Sequence, residues 1–428
     1  MSCFATIVSA NYLAYASVLG QSLARHAPDA AFQVLIVDRR SPETDLAVSR
    51  LGLTVRYAEE LPFTDFETLA YQYDILELNT AVKPTFLKAL LLEGYDKVVY
   101  LDPDIRLYSE PRPVLEALDT AAVVVTPHAQ EPVLDGKRPS DIDFLRNGTF
   151  NLGFIGVRAG GAAAEFLDWW ESRCLSYGFN DPGFGTFVDQ KWIDLAPCYF
   201  DFVGILRHPG CNLAYWNLHG RTLGDAPDGY VVNGVPLVFF HFSGVRHDAP
   251  TALSRHQTRH AVEPGSALAR LLENYCNDLA ATGHAALRTM PYGYGQLDDG
   301  TPISTTMRRA ILCVGTDRRR PFERASPLQR SLQAAGITPP RGTRAVASKT
   351  YTTHDFDPAD RRIVIVNRLV RLAARLLGTD RALLLLRYAA FLARESNYPS
   401  VLLGRPLALD HVPVPVLKAG SSSEAAHP

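Results

Sequence analysis

Two carboxylates one residue apart, Asp102 and Asp104, directly follow an apolar run at residues 97–101. Gly94 precedes this run and Pro103 lies between the two aspartates, so the pattern predicts a buried strand that ends in a turn. Ligands of open α/β sheets bind outside the carboxyl ends of strands, where two carboxylates can ligate one divalent cation. The chemistry indicated is a metal-assisted reaction on a phosphate-bearing ligand. A plain turn or a helix cap is the alternative for this pair taken alone.

Two later segments place polar groups where they could meet such a ligand. Asn151 and Gly153 open an apolar strand at residues 150–157, and a glycine there lets the backbone approach a ligand closely. A turn followed by a core strand is the alternative. His241 lies near the end of a β-forming run, with Gly244 three residues further on. Imidazole suits manganese-like cations, although a histidine near a core is more often simply hydrogen-bonded.

A further pair of polar residues, Asp189 and Gln190, lies in the segment 187–194. The apolar spacing of Val188, Trp192 and Leu195 predicts a helix for this segment. A solvated helix face is as well supported as a functional role on these residues alone.

Strands alternate with helices through the first half of the chain. Strands are predicted at residues 4–8, 33–38, 53–57, 96–101 and 121–125, and helices at 15–23 and 84–92. This alternation predicts an α/β fold with a mainly parallel, Rossmann-like sheet flanked by helices. The sequence contains neither Gly-x-Gly-x-x-Gly nor Gly-x-x-x-x-Gly-Lys, which removes the main support for dinucleotide-binding and P-loop functions.

The composition is that of a globular protein with room for more than one core. Of the 428 residues, 47% are apolar and 21% are charged, and the formal net charge of −2 provides no basic field for nucleic acid. The six cysteines are scattered without a Cys-x-x-Cys pair, so we expect a reducing, cytoplasmic environment. The first ten residues do not resemble a secretion signal, and no apolar stretch reaches about 18 residues.

The region after residue 255 has a different character. Residues 254–280 are predicted to be helical, and residues 363–394 carry arginines at helical spacing amid Leu, Val and Ile, beginning with Arg368, Arg371 and Arg375. Basic amphipathic helices can lie on anionic membranes. The alternative, packing on the catalytic domain or on a second subunit, is the more ordinary one. Residues 420–428, rich in Ser and Ala, are expected to form a frayed tail.

Several of these motifs occur in the order seen in one known family. The segments are Phe4–Val8, Tyr12, Val18–Leu23, Lys83, Tyr100–Asp104, Phe150–Gly153, Asp189-Gln190 and His241–Gly244. Over about residues 3–250 the chain resembles the GT-A glycosyltransferases, most nearly family 8, which includes glycogenin and bacterial lipopolysaccharide glucosyl- and galactosyltransferases. The resemblance implies a GT-A fold for this part of the chain, which the helical C-terminal extension predicted above would follow.

The resemblance also implies roles for individual residues. Asp102, Asp104 and His241 would bind Mn²⁺ or Mg²⁺, which bridges the diphosphate of a nucleotide sugar and stabilises it as a leaving group. Asp189 and Gln190, near the anomeric carbon, are the catalytic candidates. The expected donor-binding residues are Thr6, Ser9, Asn11, Tyr12, Asp38, Lys83, Asn151, Gly153 and Gly244.

Two departures from the family pattern bear on donor binding. His247 stands where relatives commonly have a lysine, three residues after the glycine of the His-x-x-Gly motif, and Arg246 lies beside it. Arg158 stands where relatives often have an asparagine at the end of the Asn-x-Gly strand. A UDP-sugar is the expected donor, and other nucleotide sugars stay open.

The function predicted is a metal-dependent transfer of a hexose from a nucleotide-diphosphate sugar to a glycan, protein or lipid-linked acceptor. Retention of the anomeric configuration, a role in bacterial surface polysaccharide synthesis, and a location in the cytoplasm or at the inner face of the membrane follow from the resemblance. A homo-oligomer is also open, and no nucleic-acid partner is expected.

The predicted organisation has three parts. Residues 1–255 form the catalytic domain, residues 256–419 a basic helical region for acceptor, oligomer or membrane contacts, and residues 420–428 the tail. Two other functions stay open from the sequence. One is a haloacid-dehalogenase-like phosphatase with Asp102 and Asp104 in its active site, and the other is a non-catalytic carbohydrate-binding protein of the same fold.

Overall fold

The computed structural model describes residues 1–227, 229–247, 249, 251–313, 318–337, 359–394 and 397–404. These residues form two compact units. The first comprises Met1–Phe66 and Ile75–Gly293, and the second comprises Glu67–Asp74 and the described residues from Tyr294 onward. The predicted boundary at residue 255 lies inside the first unit, and the roles predicted for the regions on either side of it stay predictions. The predicted tail at 420–428 lies outside the described residues.

Every strand found among the described residues belongs to the first unit. They are β1 (Ser2–Val8), β2 (Ala31–Ile36), β3 (Val55–Tyr57), β4 (Lys97–Leu101), β5 (Ile105–Leu107), β6 (Val123–Pro127), β7 (Phe150–Arg158), β8 (Asn180–Asp181), β9 (Thr186–Phe187), β10 (Val203–Ile205), β11 (Leu223–Ala226), β12 (Gly229–Val232), β13 (Val235–Pro236) and β14 (Phe239–His241).

The α-helices occur in both units. They are α1 (Leu13–His26), α2 (Pro42–Leu51), α3 (Phe66–Gln72), α4 (Ile75–Ala81), α5 (Lys83–Leu92), α6 (Arg112–Thr120), α7 (Asp141–Asn147), α8 (Gly161–Tyr177), α9 (Ala196–Tyr199), α10 (Ala267–Ala281), α11 (His284–Leu287), α12 (Thr305–Ala310), α13 (Pro327–Ala334), α14 (Arg361–Leu377), α15 (Thr379–Leu392) and α16 (Tyr398–Leu402).

The main sheet of the first unit has seven strands in the order β10-β6-β7-β4-β1-β2-β3. β1 pairs in parallel with β2 and β4, β2 with β3, and β6 with β10. The prediction of a mainly parallel α/β sheet is confirmed. Helix α1 packs Leu19 and Leu23 against Phe4 of β1 and Val99 of β4 in one buried cluster. Each such side chain contributes about 1.5–3 kcal/mol when it leaves water, which holds the helix on the sheet.

One strand of the sheet runs against the others, and this strand determines where the polar residues meet. β7 is antiparallel to both β4 and β6. Its beginning therefore lies beside the carboxyl end of β4, with Phe154 opposite Leu101. The backbone N–H of Asp102 donates to the carbonyl of Gly153 at 2.8 Å. The first residues of β7 and the Asp102–Asp104 turn thus share one edge of the sheet.

Two predictions of helix are wrong in part. Asp189 and Gln190 do not lie in an α-helix: β9 ends at Phe187, and a short 3₁₀ helix begins only at Lys191. Val188 has φ +43°, a left-handed conformation that interrupts helical geometry, and its N–H donates to the carbonyl of Phe179 at 3.0 Å.

The second of these predictions placed a helix at residues 254–280, but α10 begins at Ala267. Pro264 and Gly265 precede it, Gly265 has φ +72°, and the Ser266 hydroxyl caps the helix by accepting from the N–H of Ala269. The residues from 254 to 266 are therefore an irregular segment, some of whose members lie at the site described below.

In the second unit, buried arginines complete a helix end. Arg308 of α12 donates to the carbonyls of Tyr71 and Tyr73 at 3.0 and 2.7 Å, and Arg309 donates to the carbonyl of Gln72 at 2.9 Å. These guanidinium groups thus donate to carbonyls at and just after the C-terminus of α3, where the helix's own backbone supplies no donors. Among the described residues, no helix has the length and apolar character needed to cross a lipid bilayer.

Candidate metal and donor site

The structure brings together three potential metal ligands from distant parts of the chain. Nε2 of His241 lies 3.0 Å from a carboxylate oxygen of Asp104 and 3.8 Å from one of Asp102. One ligand atom from each residue falls within 4.8 Å of the others. The two carboxylates are partly exposed and the histidine is buried. Two carboxylate oxygens and one imidazole nitrogen suit Mn²⁺-like ions, which accept both ligand types.

A two-stranded sheet brings these ligands together. β5 starts directly after Asp104 and pairs antiparallel with β14, so that His241 lies opposite Ile105. The N–H of Phe242 donates to the carbonyl of Asp104 at 2.8 Å, which continues this pairing by one residue. His241 is therefore held beside Asp104 by backbone hydrogen bonds. The Tyr100 hydroxyl donates to Asp102 at 2.7 Å and orients the other carboxylate.

Gly153 leaves the space that the histidine ring occupies. A Cβ built on Gly153 would come within 2.8 Å of Nδ1 of His241 and 2.9 Å of the Asn151 amide oxygen. Burial lowers the pKa of His241, but the carboxylates of Asp104 and Asp102 raise it more strongly, and the net shift is upward. The two carboxylates thus make this point of the site favourable for a positive charge.

Lys83 and Asp189 form a buried ion pair next to the metal group. Their charged atoms are 2.7 Å apart, and both side chains are only 2% exposed. The Lys83 ammonium also donates to the carbonyl of Leu152 at 2.9 Å and lies 4.1 Å from the ring centre of Tyr100. Burial raises the pKa of Asp189 while Lys83 opposes the shift, and the net direction is upward. Lys83 is therefore engaged by a carboxylate of the protein.

The amides of Gln190 and Asn151 are held by the protein on the same side. Gln190 accepts from the N–H of Leu152 and donates to the carbonyl of Asn147, both at 3.0 Å. The Asn151 amide oxygen accepts from Asn212 at 3.0 Å. The predicted catalytic pair, Asp189 and Gln190, thus lies against the start of β7 rather than on a solvated helix face.

Two cavities meet at the metal group. The first, of about 570 Å³, is lined by Lys83, Asp102, Asp104, Asn151, Gly153, Asp189, Gln190 and His241, among others. The second, of about 430 Å³, is lined by Asn11, Tyr12 and Gly244. Asp104 and Arg255 line both cavities. Eleven of the fourteen site residues predicted above therefore line these two adjoining cavities.

Three predicted donor-binding residues do not line either cavity. The side chain of Thr6 is fully buried in β1. The Ser9 hydroxyl donates to the carbonyl of Val37 at 3.1 Å and accepts from Asn79 at 2.8 Å. The Asp38 carboxylate accepts from the N–H groups of Ala10, Arg39 and Gly293 at 3.2, 2.9 and 2.7 Å. Ser9 and Asp38 thus fix the loops around the site through hydrogen bonds to their own neighbours.

Sequence reasoning missed two arginines of the second cavity. Arg255 and Arg288 line it, and they come from segments predicted as a plain helix or not singled out. Gly244 makes the approach of Arg255 possible: it has φ +72°, its carbonyl accepts from the N–H of Arg255 at 3.0 Å, and a Cβ would come within 2.6 Å of the Ser254 hydroxyl. The sequence offered one signal for Arg288, which is the histidine at position 247 in place of the lysine common among relatives. In the structure Nη1 of Arg288 lies 2.5 Å from Nε2 of His247.

His128, also missed, lines the first cavity and gives a pH prediction. Burial lowers its pKa to about 4, whereas an unfolded histidine has a pKa of about 6.5. Between these values only the unfolded state binds the proton, so stability is complete above pH 6.5 and falls as the pH decreases toward 4. When the pH is lowered from 7 to 5, the free energy of unfolding of the wild type should therefore fall by about 2 kcal/mol more than that of the His128→Gln protein, which lacks this histidine.

The measurement is urea denaturation at both pH values, followed by tryptophan fluorescence. All four tryptophans, Trp169, Trp170, Trp192 and Trp216, belong to the first unit and report its unfolding. An equal loss in both proteins would show that His128 is protonated in the folded state.

Comparison with known proteins identifies the family. Residues 3–157 match the sequence model of glycosyl transferase family 8. The uncharacterized protein YfnF of Bacillus subtilis (strain 168) is 30% identical over 256 residues, which cover 57% of this chain and 82% of YfnF. The chain belongs to glycosyltransferase family 8. Membership makes the protein a glycosyltransferase of the GT-A fold, as the resemblance implied, and removes the phosphatase alternative.

Other relatives of this family 8 chain are more distant. The uncharacterized protein YfnD of the same bacterium is 26% identical over 245 residues, covering 56% of this chain and 77% of YfnD. The crystal structure of an active-site mutant of LgtC has 18% sequence identity and a TM-score of 0.38, and covers 68% of this chain and 99% of that chain. The family match ends at residue 157, so Asp189 and His241 lie outside it.

Proposed function

We propose that this glycosyltransferase transfers a hexose from a nucleotide-diphosphate sugar, with a UDP-sugar as the expected donor, to a glycan, protein or lipid-linked acceptor. The observation that carries the proposal is the group formed by Asp102, Asp104 and His241 at the point where two cavities meet. These three residues would hold Mn²⁺ or Mg²⁺. When bound, the ion would offset the negative charge that develops on the departing diphosphate.

The second cavity suits the nucleotide part of the donor. Tyr12 is exposed and stacks on Tyr15 with ring centres 4.8 Å apart, which provides an aromatic surface for a base. The amide oxygen of Asn11 is buried and has no hydrogen-bond partner within the described part of the chain, so it can accept from a ligand. Arg255 and Arg288 supply positive charge for phosphate groups beside Asp104.

The first cavity would hold the sugar. Asn151, Asp189 and Gln190 lie along it next to the metal group. Because Lys83 already neutralises Asp189, we assign this carboxylate to orienting the sugar rather than to removing a proton. The departing phosphate then accepts the proton of the acceptor hydroxyl, and the anomeric configuration is retained. Bacterial surface polysaccharide synthesis on the cytoplasmic side of the membrane is the setting we propose.

The test is a panel of nucleotide sugars with and without Mn²⁺. A ligand that binds only the folded state raises the melting temperature, so the true donor should give a shift that requires the metal. Metal-dependent hydrolysis of the same nucleotide sugar should follow. Phosphate release from phosphomonoesters, without any effect of nucleotide sugars, would overturn the proposal. Sugar binding without turnover would support the non-catalytic alternative.

Arg288 gives a sharper prediction on donor binding. Nη1 of Arg288 lies 2.5 Å from Nε2 of His247, and a guanidinium N–H can only donate, which places a charged donor at the position where relatives commonly have a lysine. We expect Arg288→Ala to weaken binding of the nucleoside diphosphate chosen by the panel by roughly tenfold to a hundredfold, and binding of its nucleoside by much less. His247→Lys in the Arg288→Ala background should recover part of the affinity.

Calorimetric titration with the nucleoside diphosphate and with the nucleoside separates these effects. Arg270→Ala is the matched control, because Arg270 pairs with Asp225 on the surface and lines neither cavity. Equal affinity of the wild type and the Arg288→Ala protein for the diphosphate would remove Arg288 from the phosphate site.

A further inference from the structure

An apolar stripe on α14 faces solvent in the described part of the chain. Ile365, Leu369, Leu372 and Leu376 recur at helical spacing on one face, and their exposed fractions are 56%, 60%, 51% and 75%. α14 contains no buried residue. Exposed apolar surface of this extent marks a site of interaction, because soluble proteins rarely leave contiguous apolar patches in water.

α15 continues this surface. It packs against α14, and Ala382 is its one buried residue among those described. Leu384, Tyr388 and Phe391 are exposed and again follow helical spacing. The two helices, called the arginine hairpin below, therefore have almost no core of their own. Helices usually gain most of their stability by packing an apolar face against a partner, and the apolar face of this hairpin has no such partner among the described residues.

Positive charge borders the apolar stripe. Arg368, Arg371 and Arg375 each precede a residue of the stripe by one position, which places them along its edge. Residues 360–394 contain eight arginines, two aspartates and no lysine or glutamate. One of the aspartates, Asp360, is already paired with Arg362 at 2.7 Å. Long arginine side chains can lie along apolar surface while their charged ends reach phosphate groups.

We propose that the arginine hairpin lies in the plane of an anionic lipid bilayer, with its leucine stripe among the acyl chains and its arginines at the headgroup phosphates. An apolar face bordered by basic residues is the pattern of helices that bind membrane surfaces. No described helix can span a bilayer, so the hairpin lies on the surface instead of crossing it. The proposal does not depend on the donor or on the metal.

Charge disfavours a second copy of the chain as the occupant. In a symmetric dimer the same face meets itself, so the arginines that border one leucine stripe would lie against those of the other. The hairpin has only Asp380 and the already paired Asp360 to offset them. Anionic headgroups provide the opposite charge over the whole face.

The experiment is sedimentation of the full-length protein with vesicles of phosphatidylcholine alone or with 30 mol% phosphatidylglycerol, about a third of the lipid. We expect binding to the anionic vesicles that weakens as salt rises, and little binding to the neutral ones. The double variant Leu369→Glu with Leu372→Glu should reduce the partition coefficient about tenfold or more, because it removes apolar area and adds repulsion. Arg371→Gln should reduce it about fivefold.

The matched control replaces two exposed leucines elsewhere, Leu46→Glu with Leu92→Glu in α2 and α5. This control should bind vesicles like the wild type. Circular dichroism and nucleotide-sugar hydrolysis should be unchanged in all variants, which separates this proposal from the proposed function. Equal sedimentation with both kinds of vesicle, or no effect of the leucine changes, would overturn the proposal. A different result would identify a second copy of the chain as the occupant of the apolar face. In that case the wild type would be a dimer that binds no vesicles, and replacing both Leu369 and Leu372 with Glu would convert it to a monomer.

Discussion

Replacement of Asp104 with Asn is expected to reduce metal-dependent turnover to below about 1% of the wild-type rate while the fold stays intact. Mutation of residues that only support a metal ligand typically costs 10- to 100-fold, and a direct ligand should cost at least as much. Asn keeps the shape of the side chain but loses the charge that a divalent cation requires. The backbone carbonyl of residue 104 still accepts from Phe242, so the pairing of β5 with β14 is retained.

The measurement is hydrolysis of the nucleotide sugar at increasing Mn²⁺ concentrations, together with calorimetric titration of Mn²⁺. The second readout detects loss of the ion independently of turnover. Asp119→Asn is the control, because Asp119 is 63% exposed, pairs with Lys97, and lies outside both cavities. Undiminished Mn²⁺ affinity and turnover in the Asp104→Asn protein would remove this residue from the metal site.

Replacement of Lys83 with Met is expected to lower the free energy of unfolding by about 3–5 kcal/mol, because it leaves a buried carboxylate without its counter-charge. Asp189 is 2% exposed, so water would screen its charge only weakly. The carbonyl of Leu152 loses a hydrogen bond in the same change. Since the pKa of Asp189 is already raised by burial, the variant should take up a proton there at a higher pH than the wild type.

A second variant separates charge from shape. Lys83→Met combined with Asp189→Leu removes both charges and should recover most of the lost stability, although it should not recover transfer activity. Urea denaturation followed by tryptophan fluorescence of the wild type, the two single variants Lys83→Met and Asp189→Leu, and the double variant gives the four free energies of unfolding needed for the cycle. Arg112→Met is the control. Arg112 pairs with Glu110 at the surface, where their side chains are 68% and 62% exposed, and such exposed ion pairs contribute little to the free energy of unfolding. Additive effects of the two changes would mean that Lys83 and Asp189 do not interact.

Much of the first unit could be predicted from local patterns. The apolar runs around Phe4, Val34 and Val99 predict strands because a buried parallel strand must be apolar on both faces, and β1, β2 and β4 confirm this. The turn after β4 could be predicted for the same reason, because a proline between two aspartates cannot continue a central strand. These features depend on residues adjacent in sequence.

Local patterns were insufficient where the partner of a residue is remote. The apolar spacing around Asp189 suits a helix, but a left-handed Val188 and the ion pair with Lys83 hold this residue in a turn. Asp38 follows a strand, as the donor-binding residues were expected to do, yet three backbone N–H groups use its carboxylate. Neither outcome is visible from spacing, because each depends on chain segments far away in sequence.

The sequence by itself determined the fold class, the family and the identity of the three metal-ligand candidates, since strand patterns and ordered motifs are properties of residue order. The tertiary structure decided which of these residues contact one another. The reversed direction of β7 brings Asn151 and Gly153 to Asp102, and the pairing of β5 with β14 brings His241 to Asp104. The folded structure also pairs Asp189 with Lys83 and places Arg288 against His247. These pairs depend on distance and burial, which arise only when segments remote in sequence pack together.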